Sequence, residues 1–117
     1  MDGAVTRLER EQLKTRIIDT IATWPGVAIE WHGPRFVEFK VGRREVGHLH
    51  GADLADLPFP VRIREELVTS GKAQLHHEHP ETGWVSYYIT SPDDLSPLLE
   101  LFRLNYERPW LTVSARS

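Results

Sequence analysis

Two short turn signals, Gly33-Pro34 and Gly42-Arg43-Arg44, divide part of the chain into strand-like runs at 27–32, 35–41 and 45–50. They constrain the fold more than any other feature. A parallel crossover needs about a dozen residues or more, so connections this short leave consecutive runs only antiparallel hairpin pairing. In the middle run Val37, Phe39 and Val41 share one face, opposite Glu38 and Lys40, as expected of a strand with one buried side.

Helical spacing brackets these strands. Over 6–24 the apolar residues Leu13, Ile17, Ile21 and Trp24 form a stripe, with Leu8, Ile18 and Ala22 beside it, and Pro25-Gly26 ends the helix. The segment 51–60, holding Asp53, Asp56 and two prolines, reads as a loop leading into a short helix over 61–70 that closes at Gly71. Phe59 pins that loop to the core. A second hairpin is expected from 72–79 and 84–90, with Trp84, Ser86 and Tyr88 on one face. Ser91-Pro92-Asp93-Asp94 has the composition of a helix start, and Pro97 predicts an irregular first turn. Leu95, Leu98, Leu99, Phe102 and Tyr106 form the last apolar stripe. The order α-β-β-β-α-β-β-α predicts an α+β fold, an antiparallel sheet of about five strands packed by helices.

At 117 residues the chain fits one domain, 1–117, with a core at about 6–107 and a tail at 108–117. The tail carries Trp110, Leu111 and Val113, which either dock on the core or join a second subunit as a homodimer. A net charge of -3 makes nucleic acid an unfavoured partner, although Arg35, Arg43, Arg44, Arg62 and Arg64 cluster loosely. The absence of cysteine excludes disulfides, thiolate nucleophiles and Cys-ligated zinc. Without an apolar leader or a run of about 18 apolar residues, the chain is expected to be cytoplasmic with no membrane partner.

The chemistry concentrates in histidine. Five of the six fall in His48-x-His50 and His76-His77-x-His79, and strand residues two apart point the same way, about 6.6 Å apart. Val46, His48 and His50 are expected on one face, and His77 and His79 on another beside Leu75, with His76 turned away. Imidazole ligates metals and titrates near neutrality, so these clusters suit a divalent metal, a small-molecule pocket or acid-base chemistry. The candidate metal ligands are His48, His50 and His77, with Asp53 and Asp56 available to complete or orient the set. A ligand pocket would use His48, His50, Asp56, His76, His77 and Trp84, between the third and fourth strands and under the 53–60 loop. Two alternatives stand beside this binding reading. One is an interaction or regulatory module with structural histidines, and the other an enzyme using His48 or His77. Ser86 lies near histidines, but no nucleophile elbow, phosphate loop, zinc-protease helix or dinucleotide fingerprint accompanies it.

The stretch Gly42-Arg43-Arg44-Glu45-Val46-Gly47-His48-Leu49-His50-Gly51, then Asp56-Leu57-Pro58-Phe59-Pro60, then His76-His77, Pro80 and Gly83-Trp84-Val85, resembles a family of small bacterial and fungal proteins of unknown function. That family, DUF5519, is also labelled "luciferase domain". The resemblance runs from Trp24 to Glu107 and highlights His48, His50, Asp56, His76, His77, Pro80, Gly83 and Trp84, with His79 standing where relatives are expected to be apolar. The general layout is also similar to the MmcQ/YjbR group of small α+β proteins.

Overall fold

The computed structural model describes residues 6–116, with side chains for 6–108. Helix α1 (Arg7–Ala22) starts at Thr6, whose hydroxyl accepts the Glu9 N–H while the Glu9 carboxylate accepts the Thr6 N–H. Strands β1 (Val27–His32), β2 (Phe36–Val41), β3 (Arg44–His50) and β4 (Leu54–Pro58) follow, then α2 (Val61–Thr69). After these come β5 (Gln74–Leu75), β6 (Trp84–Tyr88), a 3-10 turn (Pro92–Asp94) and α3 (Leu95–Arg116). The fold is α+β, with one antiparallel sheet in the order β1-β2-β3-β4-β6-β5.

The expected helices and first three strands are present, and two expectations about the later elements are corrected. Segment 51–60 is not a loop throughout, because 54–58 forms β4 between β3 and β6. Gly51, Asp53 and Pro60 lie outside the strand, but Asp56 and Pro58 are within it, where Ala55 and Leu57 are fully buried. The strand over 72–79 shrinks to Gln74–Leu75, leaving all three histidines of 76–79 in the connection to β6. The backbone of α3 continues through Pro109 to Arg116. Pro109 has no N–H for the Asn105 carbonyl, and Arg44 donates to that carbonyl at 2.9 Å and to the Tyr106 carbonyl at 3.1 Å. The docking expected of Trp110, Leu111 and Val113 lies outside the described side chains.

Alternation divides the sheet into two faces. Val37, Phe39, Leu49, Ala55, Leu57 and Val85 face the core, where they join Leu13, Ile17 and Ile21 of α1 and Leu98, Leu101 and Phe102 of α3. Phe39 and Phe102 meet edge to face at 5.4 Å. On the opposite face a polar row crosses all six strands through successive pairs: Glu30, Glu38, His48, Asp56, Ser86 and Gln74.

A β-bulge in β3 sets the first part of that row. The register shifts between Phe39 and Lys40, so Phe39 pairs with Gly47 while Lys40 pairs with Glu45, leaving Val46 as the extra residue. Val46 is therefore buried in the core rather than on the face of His48 and His50. The same insertion carries Glu45 onto the face of His48, which regular alternation would forbid at a separation of three. Helix α3 holds the bulge. Buried Asn105 donates its side-chain N–H to the Val46 carbonyl at 2.7 Å, and Phe102 packs where a Cβ on Gly47 would come within 2.7 Å of its ring.

Candidate functional site

Asp56 is the centre of the polar row. It is 1% exposed although it lies on the sheet face away from the main core. Its Oδ1 accepts the Ser86 hydroxyl at 2.7 Å. Around Oδ2 stand four Nε2 atoms, those of His50 at 3.1 Å, His48 and His77 at 3.4 Å, and His76 at 3.6 Å. His48 is placed by direct pairing with Asp56, and Ser86 by pairing from the other side. His50 follows two residues after His48 on the same face.

His76 and His77 arrive by a different route. The connection from β5 to β6 folds back over the sheet and is fastened at several points. Arg64 of α2 donates to the carbonyls of Pro80 and Thr82 at 3.1 and 2.7 Å. The Phe59 N–H donates to the Gly83 carbonyl at 3.2 Å, and a Cβ on Gly83 would fall 1.7 Å from the Phe59 oxygen, so only glycine fits. His76, expected to point away, is instead buried, while His77 and His79 are exposed. The Nδ1 of His76 accepts the N–H groups of Glu78 and His79, each at 3.1 Å. Its ring stacks on His77 at 4.3 Å and on His79 at 5.5 Å.

The charges follow from these contacts. Burial pushes the His48 imidazole toward neutrality, but hydrogen bonds to Asp56 and Glu45 overcome it and raise the pKa to about 9. Glu45 lies 2.7 Å from Nδ1, so each nitrogen of that ring faces a carboxylate. Burial also opposes charge on Asp56, yet His48, Ser86 and the neighbouring His76 ring hold its pKa well below the usual carboxylate range. For His76 burial dominates and lowers the pKa, with Asp56 pulling the other way.

A cavity of about 270 Å³ opens over the cluster, lined by His48, His50, Asp56, His76, His77, Glu78, His79 and Trp84. Trp84 is a wall, its ring 5.3 Å from His48 and 6.1 Å from His76. A larger cavity of about 400 Å³ lies between α2 and α3 beside Leu67, Tyr87, Leu101 and Leu104, on the other face of the sheet from these histidines.

The chain from the start of β3 through α3 carries this whole arrangement, and the luciferase domain family model matches residues 43–105, more than half of the protein. The chain belongs to the luciferase domain family. No curated protein and no solved structure matches it, and the likeness to the MmcQ/YjbR group finds no support in these comparisons.

All six residues expected to line a pocket in this luciferase-domain protein come together: His48, His50, Asp56, His76, His77 and Trp84. The expected frame changes, since the third strand and the 76–79 segment are not neighbours and β4, supposed to be a covering loop, supplies the central carboxylate. Asp53 leaves the site to pair with Arg10 of α1. His48, His50 and Asp56 each offer a ligand atom within 4.8 Å of the others, and Asp56, His76 and His77 form a second such set. A third set, Glu30, His32 and Glu38, is already engaged through Lys40–Glu30 at 3.4 Å and His32–Glu38 at 2.8 Å. Sequence spacing missed Glu45, the carboxylate behind His48, and Phe36, whose ring lies 5.0 Å from His48 and 5.7 Å from His50. Ser86 is fully buried with its hydroxyl given to Asp56, an acceptor that competes with any role as a nucleophile. Arg44 and Arg64 serve backbone carbonyls. Among the described residues no helix is long and apolar enough to cross a membrane.

Proposed function

We propose that this luciferase-domain protein binds a divalent transition-metal ion through His48, His50 and Asp56, with one side of the ion open to the cavity. The observation that carries the reading is the spacing around Asp56 Oδ2, with the Nε2 atoms of His48 and His50 at 3.4 and 3.1 Å. Ligands held at about 2.0–2.1 Å in a tetrahedron are separated by about 3.3–3.4 Å, so little movement is needed to admit an ion. Glu45 supports the same reading, because a ligating histidine commonly gives its other N–H to a carboxylate, and Glu45 stands 2.7 Å from His48 Nδ1. Asp56 takes the place that spacing assigned to His77. His77 is then the movable neighbour at the exposed side, 3.4 Å from Asp56.

The donor set of two imidazoles and one carboxylate suits zinc and similar ions better than calcium or magnesium, which favour oxygen ligands. Because His48 is charged in the ion-free protein, uptake expels a proton. The test is the metal content of native protein purified without an affinity tag or chelator, followed by a zinc titration of the native chain and His50→Ala. His50 is part-exposed, so its truncation leaves the core intact. The expected result is one ion per native chain and a loss of at least tenfold in affinity in the variant. A native chain that takes up no zinc, cobalt or nickel overturns the proposal and leaves the histidines as a structural ion network.

A further inference from the structure

Of the four imidazoles around Asp56, His76 has its lone pair committed elsewhere. Its Nδ1 accepts two backbone N–H groups, from Glu78 and His79, so the neutral ring carries its hydrogen on Nε2. That N–H points toward the cluster, with Nε2 3.6 Å from Asp56 Oδ2. A nitrogen bearing a hydrogen is a donor and not a ligand. The loop therefore presents a fixed hydrogen-bond donor beside the open side of the ion, ready for an oxygen atom bound there.

Size, charge and shape narrow what carries that oxygen. The cavity of about 270 Å³ falls just below the range of about 300–1,000 Å³ typical of small-molecule sites, which limits the occupant to roughly one ring. A divalent ion outweighs Asp56, the one carboxylate proposed to touch it, which favours an anionic oxygen at the open position. Glu45 behind His48 and Glu78 in the lining limit the charge tolerated there to one. The walls are rings, and Trp84 stands 6.1 Å from His76, within reach of the body of a molecule whose head group rests against that donor.

Resting on the metal site proposed above, we infer that its open side takes a small aromatic monocarboxylate, with one oxygen on the ion, the His76 Nε2–H given to the carboxylate, and the ring packed on Trp84. His76 is a binding residue in this arrangement and not a metal ligand.

The experiment uses the full chain loaded with Co²⁺, whose visible spectrum reports a new ligand, with benzoate, acetate and benzyl alcohol as probes and calorimetry for affinity. Benzoate is expected to change the spectrum and to bind about tenfold more tightly than acetate, the increment of one aromatic contact. Benzyl alcohol should bind at least tenfold more weakly than benzoate. His76→Asn keeps an oxygen where Nδ1 caps the loop but removes the Nε2 donor. It should retain Co²⁺ and weaken both carboxylates about tenfold. Trp84→Leu should bring benzoate down to the affinity of acetate. Co²⁺ uptake with no response to either carboxylate, equal binding of benzoate and acetate, or native carboxylate affinity in His76→Asn each overturns this inference while the metal site stands. No Co²⁺ uptake overturns the metal site and this inference together.

Discussion

His48 of β3 and Asp56 of β4 are direct partners across the sheet, with Nε2 3.4 Å from Oδ2, and Glu45 closes the other side of the imidazole at 2.7 Å. The cation is thus held between two carboxylates, on a side chain only 18% exposed.

A pH dependence follows for the metal-free protein. The folded pKa of His48 is raised to about 9, above its ordinary value of 6.5. Its contribution is fully present below about pH 6.5 and is lost as pH rises through 9, on the order of 2–3 kcal/mol across that window. Urea midpoints in chelator should fall between pH 6 and pH 9.5 in the native chain and fall less in His48→Gln. Equal slopes in the two proteins would show that His48 does not carry this charge.

The bulge gives the second prediction. Alanine at Gly47 would place a Cβ 2.7 Å from the Phe102 ring and 3.0 Å from both the Asp56 carbonyl oxygen and Leu57. The expected cost is about 1–3 kcal/mol of stability. Asn105→Ala leaves the Val46 carbonyl without its side-chain donor and should cost a similar amount, about 1–3 kcal/mol. Both should also disturb His48, because the bulge is what brings Glu45 to its face. The check is the His48 ring nitrogen resonance, which should move toward an ordinary titration in either variant. An unmoved resonance would mean Glu45 reaches His48 without the bulge.

What could be read from spacing was whatever obeys a period. The amphipathic stripes of α1 and α3, the alternation in β2 and the tight turns before β2 and β3 each state their element locally. The HxH pair also predicted its shared face. Features set by long-range packing were not legible. Strand β4 is short, ends at Pro58 and carries a buried acid, so nothing local distinguishes it from a loop until β3 and β6 flank it. Segment 76–79 alternates plausibly as a strand, but Gly83 seats on the Phe59 backbone and Arg64 draws in the carbonyls at 80 and 82, which fold it over the site. The role of Glu45 was hidden by the extra residue at Val46. Gly47 inside a strand pattern was the available signal for a bulge.

Arg64 supplies a third prediction because it works at a distance from the cluster. Its guanidinium holds two loop carbonyls, while the part of the loop that reaches Asp56 lies several residues earlier, at His76 and His77. Arg64→Ala should leave the sheet and both helix stripes folded but raise hydrogen exchange at residues 76–83 selectively. Metal affinity should fall by less than in His50→Ala, since no proposed ligand is removed. Uniformly raised exchange over the whole chain would instead make Arg64 a general stability residue.

Ser86 tests what Asp56 requires in order to stay charged in a buried place. Its hydroxyl gives Oδ1 a hydrogen bond at 2.7 Å, and both side chains are inaccessible. Ser86→Ala removes that donor without creating a large cavity, leaving one carboxylate oxygen short of a partner at a cost of about 1–3 kcal/mol. Since the hydrogen bond from Ser86 helps hold the Asp56 pKa down, the variant should lose stability at a higher pH during acid titration than the native chain. The sign follows from the depressed pKa of a carboxylate, whose contribution is present above its unfolded value and disappears as pH falls through the folded one. A serine-directed phosphonate should leave the native protein unlabelled, because the hydroxyl is buried and given to Asp56. Labelling at Ser86 would show that the hydroxyl is reachable and reactive, and would reopen nucleophilic catalysis at this position.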